Sequence, residues 1–185
     1  MIRHLPNLLT IFRILLVPIF LYTVFLTQYQ SRILVALVIF IVASLTDYLD
    51  GKIARKLNLI SDFGKIMDPL ADKLIVLSAL AALCWLPPFQ VSIIVFFVIF
   101  LRELVITIMR EVYQKKGIVV AADIFGKLKT FLQMAGIIIA FAFWAFCDPV
   151  SPVVILIVNI WFWFVALITV QSGLNYLKAT KKERS

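Results

Sequence analysis

Four aspartates at helical spacing occur between two long apolar stretches of the chain. Asp47 and Asp50 are three residues apart, and Asp68 and Asp72 are four residues apart. On two helices each pair would project from one face, so we expect the four carboxylates to surround a common space. An isolated charge at mid-membrane costs roughly 2.5–3.5 kcal/mol. The negative charge of these carboxylates must therefore be compensated by a partner in the folded protein.

The donor types in this aspartate group favour a hard divalent cation. Carboxylate oxygens are the ligands that magnesium and manganese prefer, whereas zinc sites usually contain His or Cys. Neither His nor Cys occurs between Asp47 and Asp72. The sequence therefore predicts a magnesium or manganese site. For either pair alone, the alternative is a solvated helix end with no ligand.

Small residues and one cation accompany the first aspartate pair. Gly51 and Ala54 share the helix face of Asp47, which leaves a groove where a bulky group can approach the backbone. Arg55 follows one helical turn beyond Gly51, and its guanidinium is suited to binding phosphate. The segment therefore predicts a site for a metal-bound phosphate compound.

The complete pattern resembles a family signature. It is Asp47-x-x-Asp50-Gly51-x-x-Ala54-Arg55, eight residues, then Gly64-x-x-x-Asp68-x-x-x-Asp72. This pattern resembles the complete signature of the CDP-alcohol phosphotransferases and matches it at every fixed position. Three further segments resemble the bacterial phosphatidylglycerophosphate synthases of that family. They are Pro6 to Thr10 with Arg13, Leu101-Arg102-Glu103 with Arg110-Glu111, and Gly126 to Thr130 with Gln133.

This resemblance implies a reaction, two cofactor ions and an oligomeric state. The phosphatidyl group of CDP-diacylglycerol would pass to sn-glycerol 3-phosphate, with two Mg²⁺ or Mn²⁺ ions bound, in a homodimer. In a mechanism that fits these substrates, Asp47 and Asp68 would bridge both ions and Asp50 would complete one. Asp72 would contact the other ion and would be the general base on the acceptor hydroxyl.

Residues can be assigned to the two substrates that the resemblance implies, and the resemblance itself implies that Asn7 and Thr10 line the nucleotide end of the pocket. On the CDP-diacylglycerol side we expect Asn7, Thr10, Gly51, Ala54, Arg55, Ser61 and Gly64. Arg110, Lys127 and Lys129 are the candidates for the acceptor phosphate. The two lysines are two residues apart and point in different directions on a helix, and Lys127 is favoured because it shares the face of Thr130.

Other functions stay open at this point. A sister synthase could use serine, inositol phosphate or phosphatidylglycerol as its acceptor, although three basic candidates favour a phosphorylated acceptor over serine. A cation transporter is a more distant alternative, because acidic residues in membrane helices often line ion pathways. That alternative lacks a second carboxylate set. Arg102 and Glu103 could equally form a structural ion pair between helices.

The composition indicates an integral membrane protein. Hydrophobic residues make up 63% of the 185 residues, and the mean hydropathy is +1.06, so a water-soluble globule is excluded. The net charge of +8 comes from basic residues between apolar stretches. Anionic lipids and phosphate substrates explain this charge better than nucleic acid. We expect one domain over residues 1–185.

Hydropathy and turn residues predict six transmembrane helices. Their ranges are 8–27, 32–56, 63–86, 89–113, 124–147 and 151–178. Basic residues concentrate in the second and fourth connections and in the C-terminal tail, whereas the opposite side has only Arg32. Both termini are therefore predicted to be cytoplasmic. The polar active-site chamber would open to the cytoplasm from a bacterial inner membrane.

Overall fold

A computed structural model describes the backbone of residues 5–28, 31–57, 62–115 and 124–182. Side chains are described for residues 9–28, 31–46, 71, 73–113 and 124–180. Within these ranges the chain is all-helical and has no β-strand. The prediction of an all-α protein is confirmed for this part of the chain.

Helices form at each of the six predicted places. They are α1 (Leu5–Leu21), α2 (Arg32–Leu57), α3 (Asp62–Trp85), α4 (Ile93–Lys115), α5 (Ile124–Phe146) and α6 (Pro152–Lys182), and a π-helical turn, Tyr22–Leu26, continues α1. Four of the six starts lie within one residue of the prediction. Apolar runs bounded by turn residues therefore located the helices well.

Two helices extend at one end by three or more residues beyond the range that the hydropathy predicted. Helix α1 begins at Leu5 because Pro6 lies in its first turn, where a missing N–H removes no helical hydrogen bond. Helix α6 continues to Lys182, beyond the predicted end at residue 178. Lysine and alanine are good helix formers, so the polar residues that end an apolar run do not end the helix.

The predicted start of α4 was four residues too early, at 89 rather than Ile93. A turn occupies this segment, and the Val91 amide donates to the Leu83 carbonyl at 2.9 Å. The Asn159 side-chain amide also donates to the Phe89 carbonyl, at 3.0 Å. These bonds hold Phe89 and Val91 in the turn although both residues are apolar and buried.

The chain packs into two compact units. The first comprises residues 1–82 and 138–149, and the second comprises residues 83–137 and 150–185. In the first unit α1 packs on α2, and Phe20 of α1 is fully buried, as are Ala36 and Phe40 of α2. The Phe20 ring lies 5.9 Å, centroid to centroid, from the ring of Phe141. Burial of these aromatic and small side chains stabilises the unit.

In the second unit a glycine allows close contact between helices. A Cβ atom on Gly136 of α5 would lie only 2.5 Å from Trp161 Nε1 of α6. The same indole N–H donates to the Leu132 carbonyl at 3.1 Å. Buried Phe162 packs at this point, so α5 and α6 are joined by both apolar and polar contacts.

Among the residues that the structure describes, three helical segments are long and apolar enough to cross a membrane. They are Leu9–Leu26, Ile124–Phe146 and Pro152–Thr180, and the shorter apolar segments are Arg32–Thr46 and Lys73–Trp85. Large apolar side chains such as Leu26 and Leu167 are about two-thirds exposed or more. Lipid is the environment that accommodates such exposed surfaces. The chain is therefore a membrane protein.

Candidate active site

The four aspartates of the motif lie on two continuous helices. Asp47 and Asp50 are in the second half of α2, and Asp68 and Asp72 are in the first half of α3. The helical backbone places each pair about one turn apart on one side of its helix. This confirms the helical spacing from which the site was predicted. Their side chains, and hence the convergence of the four carboxylates, lie outside the described residues.

The donor set of these helices fits a hard divalent cation. It consists of four carboxylates, with no His or Cys within α2 or between Asp62 and Asp72, and oxygen-only donors are what Mg²⁺ and Mn²⁺ require. Among the side chains that the structure describes, no three His, Cys, Asp or Glu residues come together as metal ligands. The aspartates of the motif are not in that set.

The residues predicted to bind the donor substrate lie on α1, α2 and α3. Asn7 is in the first turns of α1, Gly51, Ala54 and Arg55 are in the last turns of α2, and Gly64 is in the first turn of α3. The side chains of these residues, and all of Ser61, lie outside the described residues. Thr10 is described, and it is fully buried on α1 together with Arg13.

A polar cluster joins three helices of the second unit. Glu103 of α4 pairs with the ammonium of Lys129 on α5. Arg102 Nη1 lies 3.5 Å from the same carboxylate oxygen, Glu103 Oε1. Arg102 Nη2 donates to Ser172 Oγ of α6 at 2.7 Å. We call these four residues the α4–α6 cluster. Its formal charges are two positive and one negative.

The two lysines of α5 have different surroundings. Lys127 is exposed, whereas Lys129 is buried within the α4–α6 cluster. This difference confirms that the two side chains point in different directions. Arg110 is exposed near the end of α4. Lys127 and Arg110 are therefore accessible to a ligand from solvent, while Lys129 is already engaged by Glu103.

Sequence reasoning did not find Ser172. The residue is 1% exposed and lies 70 positions from its partner Arg102. A serine in a predominantly apolar helix has no distinctive spacing, and its hydroxyl usually bonds to the backbone of its own helix. The only sequence signal was the position of Ser172 beside Gly173 and Gln171, which form a short polar interruption of α6.

The charges of the α4–α6 cluster predict that two variants differ in stability. Glu103→Gln leaves Arg102 and Lys129 without their shared carboxylate, so we expect about 3–5 kcal/mol of destabilisation. Lys129→Met leaves the Arg102–Glu103 pair balanced and should cost less. Thermal unfolding in detergent compares the variants. Glu111→Gln, at an exposed position of the same helix, is the control, and equal midpoints for Glu103→Gln and this control would contradict the prediction.

Comparison with known proteins places these features in a family. Residues 3–172 match the family model described as CDP-alcohol phosphatidyltransferase. A protein of Rickettsia bellii named CDP-diacylglycerol--glycerol-3-phosphate 3-phosphatidyltransferase is 37% identical over 182 residues, which cover 97% of each chain. A Bacillus subtilis protein with the same name is 37% identical over 94% of this chain and 93% of its own length.

A third relative carries a different description. A Mycobacterium tuberculosis protein named probable phosphatidylglycerophosphate synthase is 38% identical over 140 residues, covering 74% of this chain and 65% of its own. The family match includes both aspartate pairs and the whole α4–α6 cluster, up to Ser172. The chain belongs to the CDP-alcohol phosphatidyltransferase family.

Proposed function

We propose that this protein transfers the phosphatidyl group of CDP-diacylglycerol to sn-glycerol 3-phosphate, giving phosphatidylglycerophosphate and CMP. The observation that carries this proposal is the full-length similarity to relatives named for that reaction, which covers 97% of both chains in one case. The aspartate pairs on α2 and α3 supply the donor set that the reaction needs. The product is a precursor of phosphatidylglycerol and cardiolipin.

Asp47, Asp50, Asp68 and Asp72 are the residues that would hold two Mg²⁺ or Mn²⁺ ions. When bound, such ions neutralise the diphosphate of the donor and stabilise the charge that develops on the departing phosphate. Arg55 adds a fixed positive charge for the same diphosphate. Gly51, Ala54 and Gly64 leave space for the cytidine, and Asn7, Thr10 and Ser61 add polar contacts to the donor.

Asp72 takes the proton in the proposed transfer step. The 1-hydroxyl oxygen of glycerol 3-phosphate forms a bond to the phosphorus that carries diacylglycerol. The bond from this phosphorus to the bridging oxygen of CMP breaks, and CMP leaves with that electron pair. The hydroxyl proton passes to the Asp72 carboxylate. General base catalysis of this kind contributes about 10²–10⁴ in rate.

The accessible cations of the second unit are the proposed acceptor site. Arg110 and Lys127 are exposed on α4 and α5. Lys129, the third candidate, is buried on α5 in its pair with Glu103. The charges of the three candidates suit the phosphate of glycerol 3-phosphate better than the neutral hydroxyls of other alcohols. This explains the proposed preference for a phosphorylated acceptor.

Removal of the side-chain charge of Arg110 or Lys127 is expected to weaken the binding of glycerol 3-phosphate and not that of CDP-diacylglycerol. Arg110→Ala or Lys127→Ala should raise the KM for glycerol 3-phosphate by about ten- to a hundred-fold, because one charged hydrogen bond contributes about 1.5–3 kcal/mol. The KM for CDP-diacylglycerol should stay within a few-fold. Arg32→Ala, on the predicted opposite side, is the control. Equal weakening of both substrates would assign the two residues to the fold or the metal site, and unchanged kinetics would remove them from the pocket.

The proposed topology has six transmembrane helices with both termini in the cytoplasm. The distribution of Lys and Arg along the sequence supports this orientation. The aspartate motif then faces the cytoplasm, where a nucleotide-activated substrate is available, and the membrane is the bacterial inner membrane. We also propose a homodimer, on the strength of the family resemblance.

An acceptor panel tests the proposed function. Purified protein is incubated with CDP-diacylglycerol, Mg²⁺ and one alcohol at a time, and CMP release and the lipid product are measured. Glycerol 3-phosphate should support the fastest release, with phosphatidylglycerophosphate and CMP formed in equal amounts. Faster turnover with serine, inositol phosphate or phosphatidylglycerol would identify a sister synthase. Absence of CMP release with every alcohol would remove the enzymatic proposal.

A further inference from the structure

Ser172 makes the shortest described contact of the Arg102 guanidinium. Arg102 Nη2 donates to Ser172 Oγ at 2.7 Å, whereas Arg102 Nη1 is 3.5 Å from Glu103 Oε1. A hydrogen bond from an ionised donor is stronger than a neutral one and weakens steeply as its length increases. Arg102 Nε is buried without a hydrogen-bond partner among the described residues. Ser172 therefore contributes most to the orientation of the guanidinium.

Two glycines lie beside this contact. A Cβ atom on Gly126 of α5 would lie 3.5 Å from Ser172 Oγ, and one on Gly173 would lie 3.4 Å from Arg102 Cγ. Glycine at these positions lets the α5 backbone approach Ser172 and the α6 backbone approach Arg102. The Arg102 side chain is only 14% exposed, and a confined guanidinium loses fewer conformations when it binds an anion than a flexible one does.

Two cations of the cluster share one carboxylate oxygen. Arg102 and Lys129 both contact Glu103 Oε1, so the cluster presents positive charge at a fixed place on α4 and α5. Exposed Lys127 and Arg110 belong to the same two helices. A loose guanidinium would instead sample several rotamers and spread this charge.

We propose that Ser172 is a positioning residue for acceptor binding. Its hydroxyl fixes the Arg102 guanidinium, and through it the positive charge that acts on the phosphate monoester of the acceptor. This inference rests on the proposed function, and it gives α6 a part in the reaction. Ser172 itself contacts neither substrate and takes no part in the transfer of the phosphatidyl group.

Two substitutions at Ser172 separate orientation from packing. Ser172→Ala removes the acceptor of the Arg102 hydrogen bond, and we expect the KM for glycerol 3-phosphate to rise about three- to thirty-fold. The KM for CDP-diacylglycerol and kcat should change less than about threefold. Ser172→Thr keeps a hydroxyl and should restore most of the acceptor affinity. A merely structural role would lower the thermal midpoint without this selective change in KM.

Thr169→Val is the matched control. Thr169 is buried one turn earlier on α6, and its hydroxyl donates to the Val165 carbonyl of its own helix at 2.7 Å. Its replacement removes a buried hydroxyl of similar size without touching Arg102. The KM for glycerol 3-phosphate should therefore match that of the parent. A rise equal to that of Ser172→Ala would overturn the inference.

A double-mutant cycle with Arg102→Lys tests the route of the effect. Lysine keeps the positive charge but lacks the planar fork of arginine. If Ser172 acts through Arg102, adding Ser172→Ala to Arg102→Lys should raise the KM for glycerol 3-phosphate no further. Additive rises, or an unchanged KM in Ser172→Ala itself, would overturn the inference. If the unsubstituted protein does not turn over glycerol 3-phosphate at all, the proposed function itself is refuted.

Discussion

Asp72→Asn is expected to lower kcat by about 10²–10⁴ while CDP-diacylglycerol still binds measurably. The amide has almost the shape of the carboxylate but cannot take the proton of the acceptor hydroxyl. Asp72 lies on the continuous helix α3, four residues after Asp68, so an isosteric change should leave the backbone intact. Equilibrium binding of CDP-diacylglycerol measures the donor affinity, and single-turnover release of CMP measures the rate of the transfer step.

Asp47→Asn supplies the comparison for Asp72. We propose that Asp47 holds metal and does not take the proton, so its replacement should weaken metal binding as well as turnover. Asp148→Asn, at an exposed position in the turn between α5 and α6, is the control and should leave both unchanged. If Asp72→Asn and Asp47→Asn lose the same metal affinity and retain the same rate, Asp72 has no separate role as a base.

Removal of divalent metal is expected to abolish turnover. The motif of four carboxylates on α2 and α3 contains no His or Cys donor. The diphosphate of the donor substrate adds further negative charge to this site. Exhaustive chelation should therefore reduce CMP release to the background rate. Either Mg²⁺ or Mn²⁺ should restore it, because both accept oxygen-only coordination.

A folding control accompanies the metal experiment. Circular dichroism of the chelated protein should retain its helical signal, because the packing of Phe20 with Phe141 and of Trp161 with Gly136 does not involve the aspartates. Full turnover after exhaustive chelation would contradict the proposed metal site. Loss of the helical signal on chelation would assign the metal a structural role.

Much of the fold could be predicted because apolar runs and helix breakers are local signals. The starts of α2 and α5 were predicted without error, at Arg32 and Ile124. The start of α4 was wrong because Asn159, far along the chain, holds Phe89 in a turn. The sequence around Phe89 contains no trace of that distant partner, so local hydropathy assigned an apolar residue to the helix.

The candidate site was also only partly predictable from the sequence. The aspartate motif is a pattern of spacing within two helices, so it could be proposed from the sequence alone, and its role as a metal site stays a prediction. The roles of Arg102 and Glu103 depended on partners on other helices, and the choice between an ion pair and a binding role stayed open. The structure shows that Glu103 pairs with Lys129 of α5 and that Arg102 donates to Ser172 of α6. The interhelical ion pair is therefore real for Glu103.

Oxygen-18 tracing tests the proposed phosphatidyl transfer most directly. sn-Glycerol 3-phosphate labelled at its 1-hydroxyl is incubated with CDP-diacylglycerol, Mg²⁺ and the purified protein, and each product is analysed by mass spectrometry. Attack of this hydroxyl on the lipid-bearing phosphorus should retain the label in phosphatidylglycerophosphate and leave CMP unlabelled. Label in the nucleotide product, with phosphatidate as the released lipid, would place the attack on the other phosphorus and contradict the proposed reaction.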